Sequence, residues 1–259
     1  MDILLTNDDG IHCEGLWALH AVLRRTNRVT VVAPDRERTA VSHGITLHQP
    51  LRANPVSLNG WGTGYAVNGT PADCIKLGIL EILGRKPDLV ISGLNPGANV
   101  GVNINYSGTV AAAKEAALGG VPAIAASVAG GEPYHYETAA EFVGRLSELV
   151  GRRGLVPGTF LNVNVPNLPW TSIAGVRVSR HGLSIFRDYM EKRVDPRNRT
   201  YYWQGADMQV FGDDPDVDGA ALGRCYITVT PIKCDMTDYE TLNDLKQWDF
   251  GGDGQAPDR

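Results

Sequence analysis

The stretch MDILLTNDDGIHCEGLWALHAVLRRTNRVTVVAP, residues 1–34, decides the fold. Ile3–Thr6 is a short apolar run, of the kind a strand shows when both of its faces are covered. Apolar residues at 16, 17, 19, 22 and 23 then follow a helical period, and Val29–Ala33 is a β-branched run. Strand, helix and strand within about 30 residues make a βαβ unit, which implies parallel strands joined by a right-handed crossover.

Outward from this unit the alternation continues. Thr70-Pro71-Ala72-Asp73 reads as an N-cap, a first-turn proline and an early acid, opening a helix to about Leu83. Leu89–Ser92 and Val121–Val128 read as buried strands, and Gly108–Leu118 and Glu137–Val150 as helices. The expected class is α/β: a Rossmann-like, mostly parallel sheet flanked by helices, over residues 1–157. After about Gly158 the texture becomes β-rich, with strands expected at Phe160–Val165, Val176–Ser179, Thr200–Gln204 and Tyr226–Ile232, and a helix near Asp238–Trp248. Residues 158–250 read as an extension that completes the core, and residues 251–259 as a flexible tail.

Composition narrows the function classes. The 259 residues are 43% hydrophobic and 20% charged, enough apolar material for a packed core. A formal net charge of −5 argues against a duplex nucleic-acid binder, which shows a basic face. The acidic start and the lack of any apolar stretch near 20 residues exclude a signal peptide and a spanning helix, so a soluble, cytoplasmic protein is expected. Four scattered cysteines without a CxxC pair read as reduced thiols.

In an open parallel sheet, ligands bind outside the carboxyl ends of the strands. Asp8 and Asp9 follow the first strand directly. Asn-Asp-Asp-Gly is ordinary turn chemistry, but an Asp pair at a strand end also suits a hard cation such as Mg²⁺, Mn²⁺ or Ca²⁺. The loop Gly93–Gly101 lacks the GxGxxG spacing and no GxxxxGK[ST] occurs. Ser107, Gly108 and Thr109, however, open a helix whose free N–H groups form a natural phosphate cradle, although a serine there is most often only an N-cap. A phosphate dianion beside carboxylates is repelled by about 4 kcal/mol per close charge pair at an effective dielectric of 20. Acids and cradle share one site only with a divalent cation between them, which reads as metal-dependent phosphoester hydrolysis.

Other candidates read as structural. Asp214–Gly219 imitates the start of a calcium loop but has Cys225 at its twelfth position, so it is expected to be an acidic turn before a strand. The run Arg187–Arg199 is expected to be a solvated loop, and Tyr201, Tyr202 and Trp203 to be packing or interface aromatics. His12 is expected to be a helix-start residue close in sequence to the acids.

MDILLTNDDG with Gly15-Leu16, VVAPDRERTAVSHGIT, NGTPADC, PDLVISGLNPGANVG and NYSGTVAAAKEA together resemble the SurE family of metal-dependent nucleoside monophosphate phosphatases. FLNVNVP and YITVTPI are similar to later family segments, so the resemblance covers most of the chain. It implies that Asp8, Asp9 and Asn95 are metal ligands and that Thr39 stands where the family usually has Ser. It also implies that Ser107, Gly108 and Thr109 hold the substrate phosphate. The implied reaction is hydrolysis of nucleoside 5′- and 3′-monophosphates with one divalent ion per subunit, Mg²⁺ or Mn²⁺, with Ca²⁺ an alternative occupant. Asp8 or Asp9 would orient the water or take its proton. A homodimer or homotetramer built through the C-terminal extension is implied too. The alternatives are the same chemistry on polyphosphate or another phosphomonoester, a silent nucleotide-binding module, and a calcium-stabilised interaction protein using Asp214–Asp218.

Overall fold

The computed structural model describes residues 1–183, 188–206 and 211–250; the tail 251–259 lies outside the described residues. The opening unit forms β1 (Asp2–Thr6), α1 (Glu14–Leu23) and β2 (Arg28–Pro34). β1 pairs in parallel with β2 on one side and with β5 (Leu89–Pro96) on the other. It therefore lies inside the sheet with both faces covered, and its alternation assigns each side chain to a different core. Ile3 and Leu5 join the apolar cluster under α1 and α4 (Tyr136–Arg153), whereas Leu4 joins the cluster under α2 (Pro71–Leu77) and α3 (Gly108–Leu118). All three are at most 1% exposed, and each fully buried side chain of this type contributes about 1.5–3 kcal/mol.

The sheet is completed by β3 (Ala53–Leu58), β4 (Gly62–Val67), β6 (Ala123–Ala129), β7 (Thr159–Pro166), β8 (Gly175–Val178) and β11 (Tyr226–Lys233). Its order is β3-β4-β2-β1-β5-β6-β7-β11-β8. From β1 the chain builds outward in one direction through β2 and in the other through β5, so the strand order reverses between β1 and β5. A crevice opens at the carboxyl ends of such a pair. The expected α/β sheet is observed, and its β-rich later part enters it: β7 lies parallel to β6, and β11 antiparallel to β7.

Three local expectations change. β5 runs past Ser92 to Pro96 through a register shift between Ser92 and Asn95, so Asn95 sits on a strand end rather than in a loop. Gly93 makes the irregularity feasible, with φ of +145° and a site where a Cβ would stand 2.4 Å from the Ala126 carbonyl oxygen. The run expected as a solvated loop contains β9 (Asp188–Val194), which pairs with β10 (Thr200–Ala206) in a separate two-stranded ribbon; Arg187 lies outside the described residues. Backbone ladder bonds make this strand without a buried face, a condition that periodicity does not register. The acidic turn at Asp214 leads into a helix, α5 (Asp218–Gly223), rather than straight into a strand.

The hairpin β3–β4 has no counterpart in the sequence reading, because ANPVSL and GTGYAV show little alternation. Its glycines are needed for contact: a Cβ on Gly64 would lie 3.0 Å from Val31 Cβ, and one on Gly62 would lie 3.1 Å from the Trp17 ring. The chain closes with α6 (Tyr239–Leu245), capped by Asp238. All four cysteines are free thiols. No helix among the described residues is long and apolar enough to cross a membrane.

Replacing Gly93 with Ala places a methyl group against the backbone of β6, which cannot yield without breaking ladder bonds. Denaturant titration should show a loss of about 3 kcal/mol. A loss under ~1 kcal/mol would mean that the β5–β6 contact is softer than its geometry indicates.

Candidate functional site

The turn after β1 is held from within. Asn7 is fully buried; its Oδ1 accepts the Gly10 N–H at 3.2 Å and its Nδ2 donates to the Gly10 carbonyl at 3.0 Å. Gly10 has φ of +100°, and a Cβ there would stand 3.0 Å from the Arg36 backbone. The loop after β2 thus packs on this turn, and the Arg38 N–H donates to the Asp8 carbonyl at 2.7 Å. The local turn and the paired carboxylates are one object: the turn aims Asp8 and Asp9 into the crevice between β1 and β5.

Asp8 is 3% exposed and seated on the first turn of α3. The Thr109 hydroxyl donates to its Oδ1. Gly108 permits the approach, since a Cβ there would lie 2.8 Å from Asp8 Cβ and 2.9 Å from Oδ2. Burial raises the Asp8 pKa above the usual carboxylate range, opposed by the Thr109 hydroxyl and by the backbone N–H groups of Gly108 and Thr109. Asp9 is half-buried. Burial first, then the charges of Asp8 and Glu37, push its pKa up to about 7. Its Oδ2 is buried with no hydrogen-bond partner.

The remaining predicted residues divide. Asn95 is half-buried; its Nδ2 donates to the Gly97 carbonyl at 2.6 Å, which leaves Oδ1 as the acceptor. Thr39 is exposed, and its hydroxyl donates to Glu37 Oε1 at 2.6 Å. Ser107 caps α3 by accepting the Val110 N–H at 3.1 Å, the ordinary role of such a serine. The Thr109 hydroxyl thus spends its proton on Asp8, whereas Ser107 uses only an oxygen lone pair in capping and keeps its proton as a donor. His12 is exposed in the turn before α1.

The loop joining Asn95 to Ser107 is clamped by residues that sequence reasoning did not select. Asn99 donates its N–H to Asn164 Oδ1 at 2.8 Å and its Nδ2 to Ser127 Oγ at 2.9 Å. Its carbonyl accepts from Asn162 Nδ2 at 2.8 Å and Asn164 Nδ2 at 3.0 Å. Gly101 donates to Asp218 Oδ2 at 3.0 Å, while its carbonyl accepts from His181 Nε2 at 2.7 Å. Asp218 is fully buried and also takes the Gly219 N–H at 2.8 Å and the Gly182 N–H at 3.3 Å. A residue read as part of an acidic turn before a strand thus ties the C-terminal segment to the site loop. A signal existed: Asn162 and Asn164 stand two apart in the apolar run FLNVNVP, so both share one buried strand face.

No group of three or more His, Cys, Asp or Glu among the described residues is placed to hold a metal. Two carboxylates with neutral oxygen donors make a set suited to hard cations rather than zinc. The unpartnered Asp9 Oδ2 is the kind of buried atom that such a cation satisfies.

Residues 3–188 match the family model described as Survival protein SurE. The protein called 5′-nucleotidase SurE from Desulfatibacillum aliphaticivorans is 58% identical over 248 residues, covering 96% of this chain and 98% of that one. Its namesake from Syntrophobacter fumaroxidans is 48% identical over 250 residues, covering 96% and 100%. The crystal structure of SurE protein from Aquifex aeolicus is similar, with a TM-score of 0.84, 37% identity and coverage of 95% and 98%.

A carboxyl whose pKa is raised by folding favours the folded state below its unfolded value, near 4, and loses that advantage as pH climbs through about 7. With EDTA present, Asp9→Asn should unfold with the parent at pH 4. At pH 8 it should be more stable by about 2 kcal/mol after allowance for hydration, ~5 °C in melting temperature. Equal melting temperatures at pH 8 would show that Asp9 is freely hydrated.

Proposed function

Because the chain belongs to the SurE family, we propose that it is a divalent-metal-dependent phosphomonoesterase that hydrolyses nucleoside 5′-monophosphates, and 3′-monophosphates, to nucleoside and phosphate. The observation that carries this reading is the Asp8–Asp9 pair in the β1–β5 crevice, one carboxylate seated on a helix N-terminus and the other with an oxygen lacking a donor.

Asp8, Asp9, Thr39 and Asn95 would hold one Mg²⁺ or Mn²⁺. Each keeps an oxygen lone pair for it: Thr39 gives its proton to Glu37, and Asn95 uses its nitrogen on Gly97. When bound, the cation neutralises charge between carboxylates and phosphate, polarises a phosphoryl oxygen and lowers the pKa of a bound water. The chain's own contribution is positional. Thr109 and the start of α3 fix Asp8, which leaves Asp9, with its free Oδ2, as the carboxylate that orients the attacking water and takes its proton. The positive end of α3 and the Ser107 hydroxyl, whose proton is left over when its oxygen accepts the Val110 N–H, stabilise phosphoryl oxygens as charge spreads in the transition state.

The same proposal extends to assembly. The ribbon β9–β10 exposes Tyr189, Met190, Tyr202 and Trp203, each more than half accessible, and these supply an apolar surface for a homodimer or homotetramer.

Phosphate release from AMP tests the reaction. It should require added Mg²⁺ or Mn²⁺, vanish in EDTA, and fall at least ~10²-fold in Asp9→Asn while that variant keeps its circular dichroism spectrum. Turnover in EDTA, or near-parental turnover in Asp9→Asn, contradicts the assignment.

A further inference from the structure

A cavity of about 360 Å³ adjoins the phosphate cradle. Ser107, Val110, Ala111 and Lys114 line it, the side of α3 turned away from the one where Gly108 and Thr109 meet Asp8, with the N-cap Ser107 at the shared end. The first turn of α3 is therefore the partition between the carboxylate site and this space. Its apolar wall comes from Ile104, from Phe160 on β7, which is fully buried, and from Ile232 on β11. Its titratable lining residues are His43, Lys114, His181 and Lys233. No acid lines it, in a chain where acids outnumber Lys and Arg by 29 to 24.

Two of these four groups are already engaged. His43 Nε2 bonds Glu115 at 2.7 Å, and His181 Nε2–H donates to the Gly101 carbonyl at 2.7 Å. Among the described residues, neither lysine donates a hydrogen bond to a carboxylate. Lys114 Nζ meets the Met236 sulfur at 3.7 Å, a weak acceptor. Lys233 Nζ lies 5.7 Å from the Tyr239 ring centroid. Asp235 accepts the Tyr239 hydroxyl and the Thr237 N–H, and the Lys233 charge acts on the same carboxylate without a direct hydrogen bond. By contrast, Lys76 is paired with Glu115 at 2.5 Å.

We propose that this cavity is the nucleoside subsite, and that Lys114 and Lys233 make it selective for 6-oxopurines. The inference rests on the phosphomonoesterase reading of the adjoining site. A second phosphate would meet the lysines but would have no use for a wall of Ile104, Phe160 and Ile232. A nucleobase has apolar faces for that wall and a polar edge for the ammonium groups, and the volume falls within the range of small-molecule pockets. An ammonium donates and never accepts. It complements the O6 acceptor of hypoxanthine and guanine, whereas the N6 amino group of adenine presents a donor to a donor; N7 is an acceptor in all three and does not discriminate. A site built of donors rejects the analogue that leaves them unpaired.

The test compares kcat/KM for IMP, GMP, AMP, tripolyphosphate and glycerol 2-phosphate, which has no base. The expected result is a preference of about tenfold for IMP and GMP over AMP. In Lys114→Met and Lys233→Met, kcat/KM for IMP should fall about tenfold relative to that for glycerol 2-phosphate, mostly through KM. An equal fall on both substrates, or on neither, overturns the proposal. So does a fall confined to tripolyphosphate, which would make the cavity a site for a phosphate chain. Inosine binding measured by calorimetry separates this proposal from the reading beneath it. If no phosphate is released from any substrate, yet inosine binds the parent and not the lysine variants, the subsite stands and the phosphatase reading fails. If inosine binds both alike, the subsite fails.

Discussion

The seat of the Asp8 carboxylate on the first turn of α3 is the contact on which the rest of the site depends. A carboxylate 3% exposed has lost most of its water, and an ionised group in that position is costly without donors. Helix N–H groups and the Thr109 hydroxyl supply them. That requirement dictates Gly108, because any side chain there would occupy the space of Asp8 itself. It also joins the end of β1 to the start of α3, so strand and helix share one anchor. Asp9, one residue on, is left beside a fixed neighbouring charge with an oxygen that no protein group satisfies.

This arrangement resolves an apparent conflict between charge and ligand. A net charge of −5 argues against a broad basic grip, and that argument concerns only the whole surface. In the proposed reading phosphate recognition would be local: two acids would create the demand for a cation beside the positive end of α3. Of the two hydroxyls at that helix end, the Ser107 oxygen caps the helix and Thr109 holds Asp8.

Order in the connecting loop comes from buried polar groups rather than from apolar packing. The side-chain NH2 groups of Asn99, Asn162 and Asn164 each donate within this cluster, Asn162 Oδ1 stays without a partner among the described residues, and Asp218 collects three backbone N–H groups. A buried carboxylate with several N–H donors is tolerated where an unpaired one is not. The consequence is that the C-terminal segment, through His181 and Asp218, takes part in positioning the loop that runs from Asn95 to Ser107. The later part of the chain thereby contributes to the order of this loop.

Residues 1–34 determined the βαβ unit by themselves, since strand runs, helical period and turn residues are all short-range signals. The burial split of Ile3 and Leu5 against Leu4 follows from the same period-2 rule. The cap at Thr70 is a short-range signal of another kind, a capping box in which Thr70 and Asp73 bond reciprocally within four residues. The positions of Asp8 and Asp9 after a buried strand were legible too, because a parallel sheet sends its strand ends to one edge. What the hydroxyls, Asp218 and the run after Arg187 do was decided only in three dimensions. Thr109 meets Asp8 across 101 residues, and Asp218 meets Gly101 across 117. The strand β9 exists through its partner β10 rather than through a buried face. Periodicity and turn chemistry describe a residue's neighbours in the chain; a hydrogen bond between distant segments depends on where the packed sheet brings their ends.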